Sequence, residues 1–137
     1  MGGHAIKTVK VERLSKVIYK QVIQEIIEIL SKVPIKFAFT FETPGKEDFG
    51  DVDVLIDTTY GIGEDESKVE ELMRTHFQTV EIVKNGYVLS FAYQKDGLYY
   101  QVDFILVSCL EMAQMYFSYG DCGAIIGRYT ACQWHAV

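Results

Sequence analysis

The sequence predicts an α+β domain: a mixed sheet of about five strands with flanking helices. Three observations carry that prediction. Apolar residues recur at three- and four-residue steps over residues 9–33, the spacing of an amphipathic helix. Two glycine turns, Asn85-Gly86 and Lys95-Asp96-Gly97, separate runs rich in β-branched and aromatic residues, the pattern of successive hairpins. Helical and strand patterns are intermixed along the chain, an order that suits helices packed on a mixed sheet.

The first helix is predicted from Leu14, Val17, Ile18, Val22, Ile26, Ile29, Leu30 and Val33, with Pro34 ending it. "IKFAFTFE", residues 35–42, is β-branched and aromatic and reads as a strand running into the turn "TPGKED". "DVDVLID" follows as a second strand. "YGIGEDES" is a loop in which Asp65 or Ser67 can cap a helix over about residues 68–77. "TVEIVKN", "GYVLSFAYQ" and "LYYQVDFILV" are three further strands, and past Ser108 the pattern becomes helical in "CLEMAQMYF" and "DCGAIIGRYTACQ". No repeat, linker or low-complexity tract divides the 137 residues, which predicts one domain over 1–137.

Composition excludes several classes. With 49% hydrophobic and 13% aromatic residues the chain can bury a core. No apolar run approaches the ~20 residues that cross a bilayer, and the start "MGGHAIKTVK" carries no apolar signal segment, so no membrane partner and a cytoplasmic location are expected. Cys109, Cys122 and Cys132 lack Cys-x-x-Cys spacing and read as reduced thiols, while His4, His76 and His135 offer no helical metal pair. The net charge of -6 argues against a tight grip on duplex nucleic acid. Lys7, Lys10, Arg13, Lys16 and Lys20 nevertheless cluster near the start. On a helix they form either a solvated face or a patch making weak nucleic-acid contact.

The chemistry concentrates in "GKEDFGDVDVLI". Alternation along a strand puts Asp51 and Asp53 on one face and Val52, Val54 and Ile56 on the other. Two carboxylates about 4 Å apart repel by roughly 4 kcal/mol at an effective dielectric of about 20, a cost that a metal cation would offset. With eight Asp in the chain, an Asp-x-Asp pair arises by chance roughly one time in two, so the pair needs company. Asp103 provides it by interrupting the otherwise apolar strand of "YYQVDFILV". Three oxygen ligands on rigid strands suit Mg²⁺, which favours carboxylates together with substrate phosphates.

These residues resemble a known family. "GKEDFGDVDVLI" is similar, without a gap, to the metal-binding segment of the family X DNA polymerases, the polymerase β-like branch of the nucleotidyltransferases. That segment runs Gly-basic-Glu-x-x-Gly-Asp-x-Asp-x-Leu-Ile. "QVDFILV" resembles the strand with the family's third carboxylate, and "YFSYGD" the segment where palm passes into thumb. The resemblance covers about residues 35–131 and implies a palm-like nucleotidyltransferase fold, with the start of a truncated thumb at about 120–137. It implies a two-metal transfer of a nucleoside monophosphate from an NTP or dNTP to a hydroxyl, with Mg²⁺ or Mn²⁺ as cofactor. Asp51, Asp53 and Asp103 would be the catalytic metal ligands. Tyr116 and Phe117 would lie beside the sugar, and Asp121 and Arg128 near the base.

The family's phosphate-cradling Gly-Ser and its basic pair are replaced here by Thr40-Phe41 and Thr43-Pro44. Thr40, Thr43 and Lys46 are the residues expected to meet the phosphates instead. Two functions follow: an enzyme whose acceptor is a nucleic-acid end, a small molecule or a protein, or a nucleotide-binding or interaction module that kept the acids and has little or no turnover.

Overall fold

The computed structural model describes residues 6–40, 45–79 and 81–119, the last three of these by backbone alone. Its elements are β1 (Leu14–Ser15), α1 (Lys16–Leu30), β2 (Phe37–Phe39), β3 (Asp48–Phe49), β4 (Asp51–Asp57), α2 (Glu66–His76), β5 (Ile82–Asn85), β6 (Val88–Lys95), β7 (Leu98–Val107) and α3 (Leu110–Tyr119), with a 3₁₀ turn at Gly61–Glu64 before α2. Five strands form a mixed sheet in the order β2-β4-β7-β6-β5, in which only β4 and β7 run parallel. The expected α+β class and five-stranded mixed sheet are therefore what the chain adopts. Among the described residues no helix is long and apolar enough to cross a membrane.

Strand alternation sorts the sheet into two unlike faces. On one, Val52, Val54, Ile56, Leu89, Phe91, Val102 and Phe104 form the main core with Val22, Ile26 and Leu30 of α1 and Val69, Leu72 and Met73 of α2. Phe77 closes this core against Phe91 and Phe104, with ring centroids 5.1 and 5.8 Å away. The other face has a smaller cluster of Leu55, Ile105, Val107 and Ala113, where α3 packs. Gln114 of α3 donates to the Phe39 carbonyl at 2.5 Å and so fixes that helix over the β2 side. The remainder of this second face carries the acids.

Turn chemistry sets the hairpin registers. Asp96 and Gly97 both take positive φ, 53° and 81°, the type I′ geometry whose twist matches paired strands. Gly86 has φ 64° and opens the β5–β6 turn. Asp65 caps α2, its carboxylate accepting from the Ser67 amide at 2.9 Å.

The helix expected over 9–33 begins only at Lys16. Ser15 caps it by accepting from the Ile18 amide, and the preceding residues find partners in sheets instead. Leu14 and Ser15 pair with Phe49 and Asp48, and the Glu12 amide donates to the Tyr99 carbonyl at 2.7 Å. The apolar residues at 9, 11 and 14 thus mimicked a helical period while belonging to a non-helical segment. The basic helix expected to contact nucleic acid is correspondingly reduced. Lys7, Lys10 and Arg13 precede the helix, Arg13 pairs with Asp48, and only Lys16 and Lys20 lie on α1. Cys109, expected as a reduced thiol because the cysteines lack Cys-x-x-Cys spacing, is disulfide-bonded. The helix expected past Gly120 lies outside the described residues.

The loop after β4 is held by close backbone approach. A Cβ on Gly63 would lie 2.0 Å from the Asp57 carbonyl oxygen, whereas one on Gly86 would meet nothing within 4 Å. Gly63→Ala is expected to cost about 3 kcal/mol through overpacking against backbone. Gly86→Ala is expected to cost about 1–2 kcal/mol, the penalty of left-handed backbone for a side chain. Urea unfolding of the two variants checks the order; equal losses would contradict it.

Candidate metal centre

Asp51 opens β4 and Asp53 follows two residues later, so both project from the face opposite the main core. β7 runs parallel beside it in a register that sets Asp53 against Asp103 and Asp51 against Gln101. Two acids from one strand and one from its neighbour thereby share a patch of sheet. One carboxylate oxygen from each of the three can be chosen so that all lie within 4.8 Å of one another. Asp103 is only 1% exposed, and Asp51 and Asp53 are half-buried.

Such crowding leaves oxygens short of partners. Asp53 Oδ1 and Asp103 Oδ2 are buried without a hydrogen-bond partner, a state that ordinarily costs about 1–3 kcal/mol per group. Asp103 Oδ1 accepts from Gln101 Nε2 at 2.9 Å. Burial, then the neighbouring charges of Asp53 and Asp103, pushes the Asp51 carboxyl up to about 8. Burial, then the Asp103 charge and hydrogen bond, pushes Asp53 up to about 7, while Lys46 pulls it the other way. Without a cation the cluster relieves its repulsion by holding protons at neutral pH.

The donor set fits a hard divalent cation. Carboxylate oxygens suit Mg²⁺, Mn²⁺ or Ca²⁺ over thiolate-seeking metals. Ligands at about 2.1 Å from a Mg²⁺ lie roughly 3.0 Å apart when adjacent and ~4.2 Å when opposed, so a bound ion would draw the three oxygens closer together. The Asp51, Asp53 and Asp103 cluster could therefore hold a metal ion.

The other expected site residues are placed less closely. Lys46 is exposed, its ammonium 5.0 Å from the Phe49 ring centre and near enough to influence Asp53. Thr40 is half-buried just past β2, and Tyr116 is half-buried on α3, the helix over that side of the sheet. Phe117 lies on the α3 backbone, with its side chain outside the described residues, as are Thr43, Asp121 and Arg128. Sequence reasoning passed over Gln101. The signal was available: it is the second polar residue of an apolar strand, in phase with Asp103. No protein-family model and no curated protein matches the chain.

The raised carboxyls give stability a definite sign. An unfolded aspartate titrates near 3.8, so between about pH 4 and 8 the metal-free folded protein binds more protons than the unfolded chain. Stability then falls as pH rises across that window. Thermal melts of metal-free protein should show Tm declining from pH 5 to 8, with the slope flattened in Asp51→Asn/Asp53→Asn. Mn²⁺ should raise the wild-type Tm more at pH 8 than at pH 5 and leave the double variant unmoved, because proton and cation compete for the same oxygens.

Proposed function

We propose that the protein is a metal-dependent nucleotidyltransferase of the polymerase β palm-like kind, moving a nucleoside monophosphate from an NTP or dNTP to a hydroxyl acceptor. The observation that carries this reading is the triad itself, three carboxylates converging on one sheet face with two buried oxygens unpartnered. Its support in the sequence is the ungapped resemblance of residues 45–56 and the later strand bearing Asp103.

Each residue then has a task. Asp51 and Asp53, held on one rigid strand, would bind Mg²⁺ or Mn²⁺ together with Asp103 from the next. A bound divalent cation would supply charge neutralisation for phosphate oxygens and acidify the acceptor hydroxyl. Asp103, buried to 99% of its surface by β-sheet neighbours, keeps its free oxygen Oδ2 out of competing contact with bulk water. Lys46, on the segment entering β4, adds positive charge beside Asp53, where a triphosphate would approach. Contact with a nucleic acid would be weak and salt-dependent, because the exposed Lys7, Lys10 and Arg13 lie on a short segment in a chain of net charge -6.

A second reading, a nucleotide-binding module with little turnover, is favoured by one feature: Thr40-Phe41 and Thr43-Pro44 stand where the related enzymes carry Gly-Ser and a basic pair. Pyrophosphate release and nucleotide affinity separate the two. With Mn²⁺, NTPs and a panel of acceptors, wild type should release pyrophosphate. Asp103→Ala should slow release about a thousandfold, a loss of roughly 4 kcal/mol of transition-state stabilisation, with nucleotide binding largely intact. Calorimetric nucleotide binding with no release from any acceptor would shift the assignment to the module.

A further inference from the structure

At the acid-bearing end of their shared face, β4 and β7 set two ranks of side chains together: Asp53 beside Asp103, and Asp51 beside Gln101. The fourth corner is therefore an amide. Gln101 is 2% exposed, lies opposite Ala92 of β6 on its other flank, and donates from Nε2 to Asp103 Oδ1 at 2.9 Å. A buried Gln in a strand this apolar costs free energy unless its polar atoms are used.

The choice of residue follows from what each alternative would do. A fourth carboxylate would add one more acidic group beside three whose oxygens already lie within 4.8 Å of one another. An aliphatic side chain would leave Asp103 Oδ1 as well as Oδ2 buried without a donor, and the carboxylate free to rotate about its last bond. An amide donates without changing the charge. Gln also has the length to span two residues along one face of a strand, whereas Asn is one methylene shorter.

Taking the cluster as a divalent-cation site, we propose that Gln101 is its positioning residue: the amide fixes Asp103 through Oδ1 and thereby commits Oδ2 to the ion. Asp103 is then a one-oxygen ligand, its plane set before the metal arrives. Partners of this sort, which orient a ligand without touching the metal, are worth about 10- to 100-fold in affinity. Gln101 acts through Asp103 and needs no contact with nucleotide.

The test is calorimetric titration with Mn²⁺ alone of the full chain as wild type, Gln101→Met, Gln101→Asn and Asp51→Asn/Asp53→Asn. Met keeps the length and loses the donor; Asn keeps the amide and falls short of Asp103. Both should weaken Mn²⁺ binding about tenfold or more while circular dichroism still shows the folded state; the metal-free Tm should fall, because buried Asp103 Oδ1 loses its donor. Saturating Mn²⁺ should restore most of any nucleotidyl transfer in either variant, an effect on metal affinity that a merely structural lesion would not show. If Met perturbs the fold, Asn decides. Wild-type Mn²⁺ affinity in a folded variant overturns the role of Gln101 and leaves the metal centre standing. Wild type that binds Mn²⁺ no better than the Asp51→Asn/Asp53→Asn protein overturns both.

Discussion

The parallel register between β4 and β7 is the constraint on which the rest of the molecule depends. It pairs Asp53 with Asp103 and, through the same seven-residue ladder, Val52 with Val102 and Val54 with Phe104. Because side chains alternate, a slip of one residue would turn the acids of the shifted strand into the core under α1 and α2 and its apolar residues out. Val52, Val54, Ile56, Val102 and Phe104 are fully buried, and at about 1.5–3 kcal/mol each they contribute roughly 7–15 kcal/mol to the observed register. Repulsion between two neighbouring carboxylates, roughly 4 kcal/mol, is smaller. The core therefore prevails, and the acids stay crowded on the opposite face, relieved by protons or by a cation.

The chain entering β4 is held from a second direction. β3 pairs with β1, the Lys16 amide donates to the Glu47 carbonyl at 3.1 Å, and Tyr19 stacks on Phe49 with ring centroids 3.9 Å apart. The start of α1 thus anchors the residues immediately before Asp51 and keeps Lys46 beside the cluster. Beyond β4, Gly61 and Gly63 let the chain pass against the Pro34 and Asp57 carbonyls before α2 begins. The strand that bears two of the three acids is pinned at both ends, the rigidity that preorganised ligands require.

Where local chemistry decided the outcome, the sequence was readable. The turn at Lys95-Asp96-Gly97 and the full span of the 51–57 strand could be read directly, and the α2 cap was narrowed to Asp65 or Ser67, because each rests on neighbours in the chain. The convergence of Asp51, Asp53 and Asp103 needed one more step, that two interrupted strands be adjacent, which alternation permits and only the tertiary fold supplies. The segment before Ser15 was misread because its apolar spacing fits a helix, while its hydrogen bonds go to Tyr99, Asp48 and Phe49, far away in sequence. Gln101 was passed over for a related reason: a polar residue in a strand looks like an exposed one until the neighbouring strands show it buried beside an acid.

If Asp51, Asp53 and Asp103 form one cation site, anomalous diffraction from crystals soaked in Mn²⁺ locates the ion among them. The predicted result is an anomalous peak among Asp51, Asp53 and Asp103, about 2.1–2.2 Å from Asp103 Oδ2, with Gln101 still bonded to Oδ1. A map with no peak at the triad at saturating Mn²⁺ would contradict it.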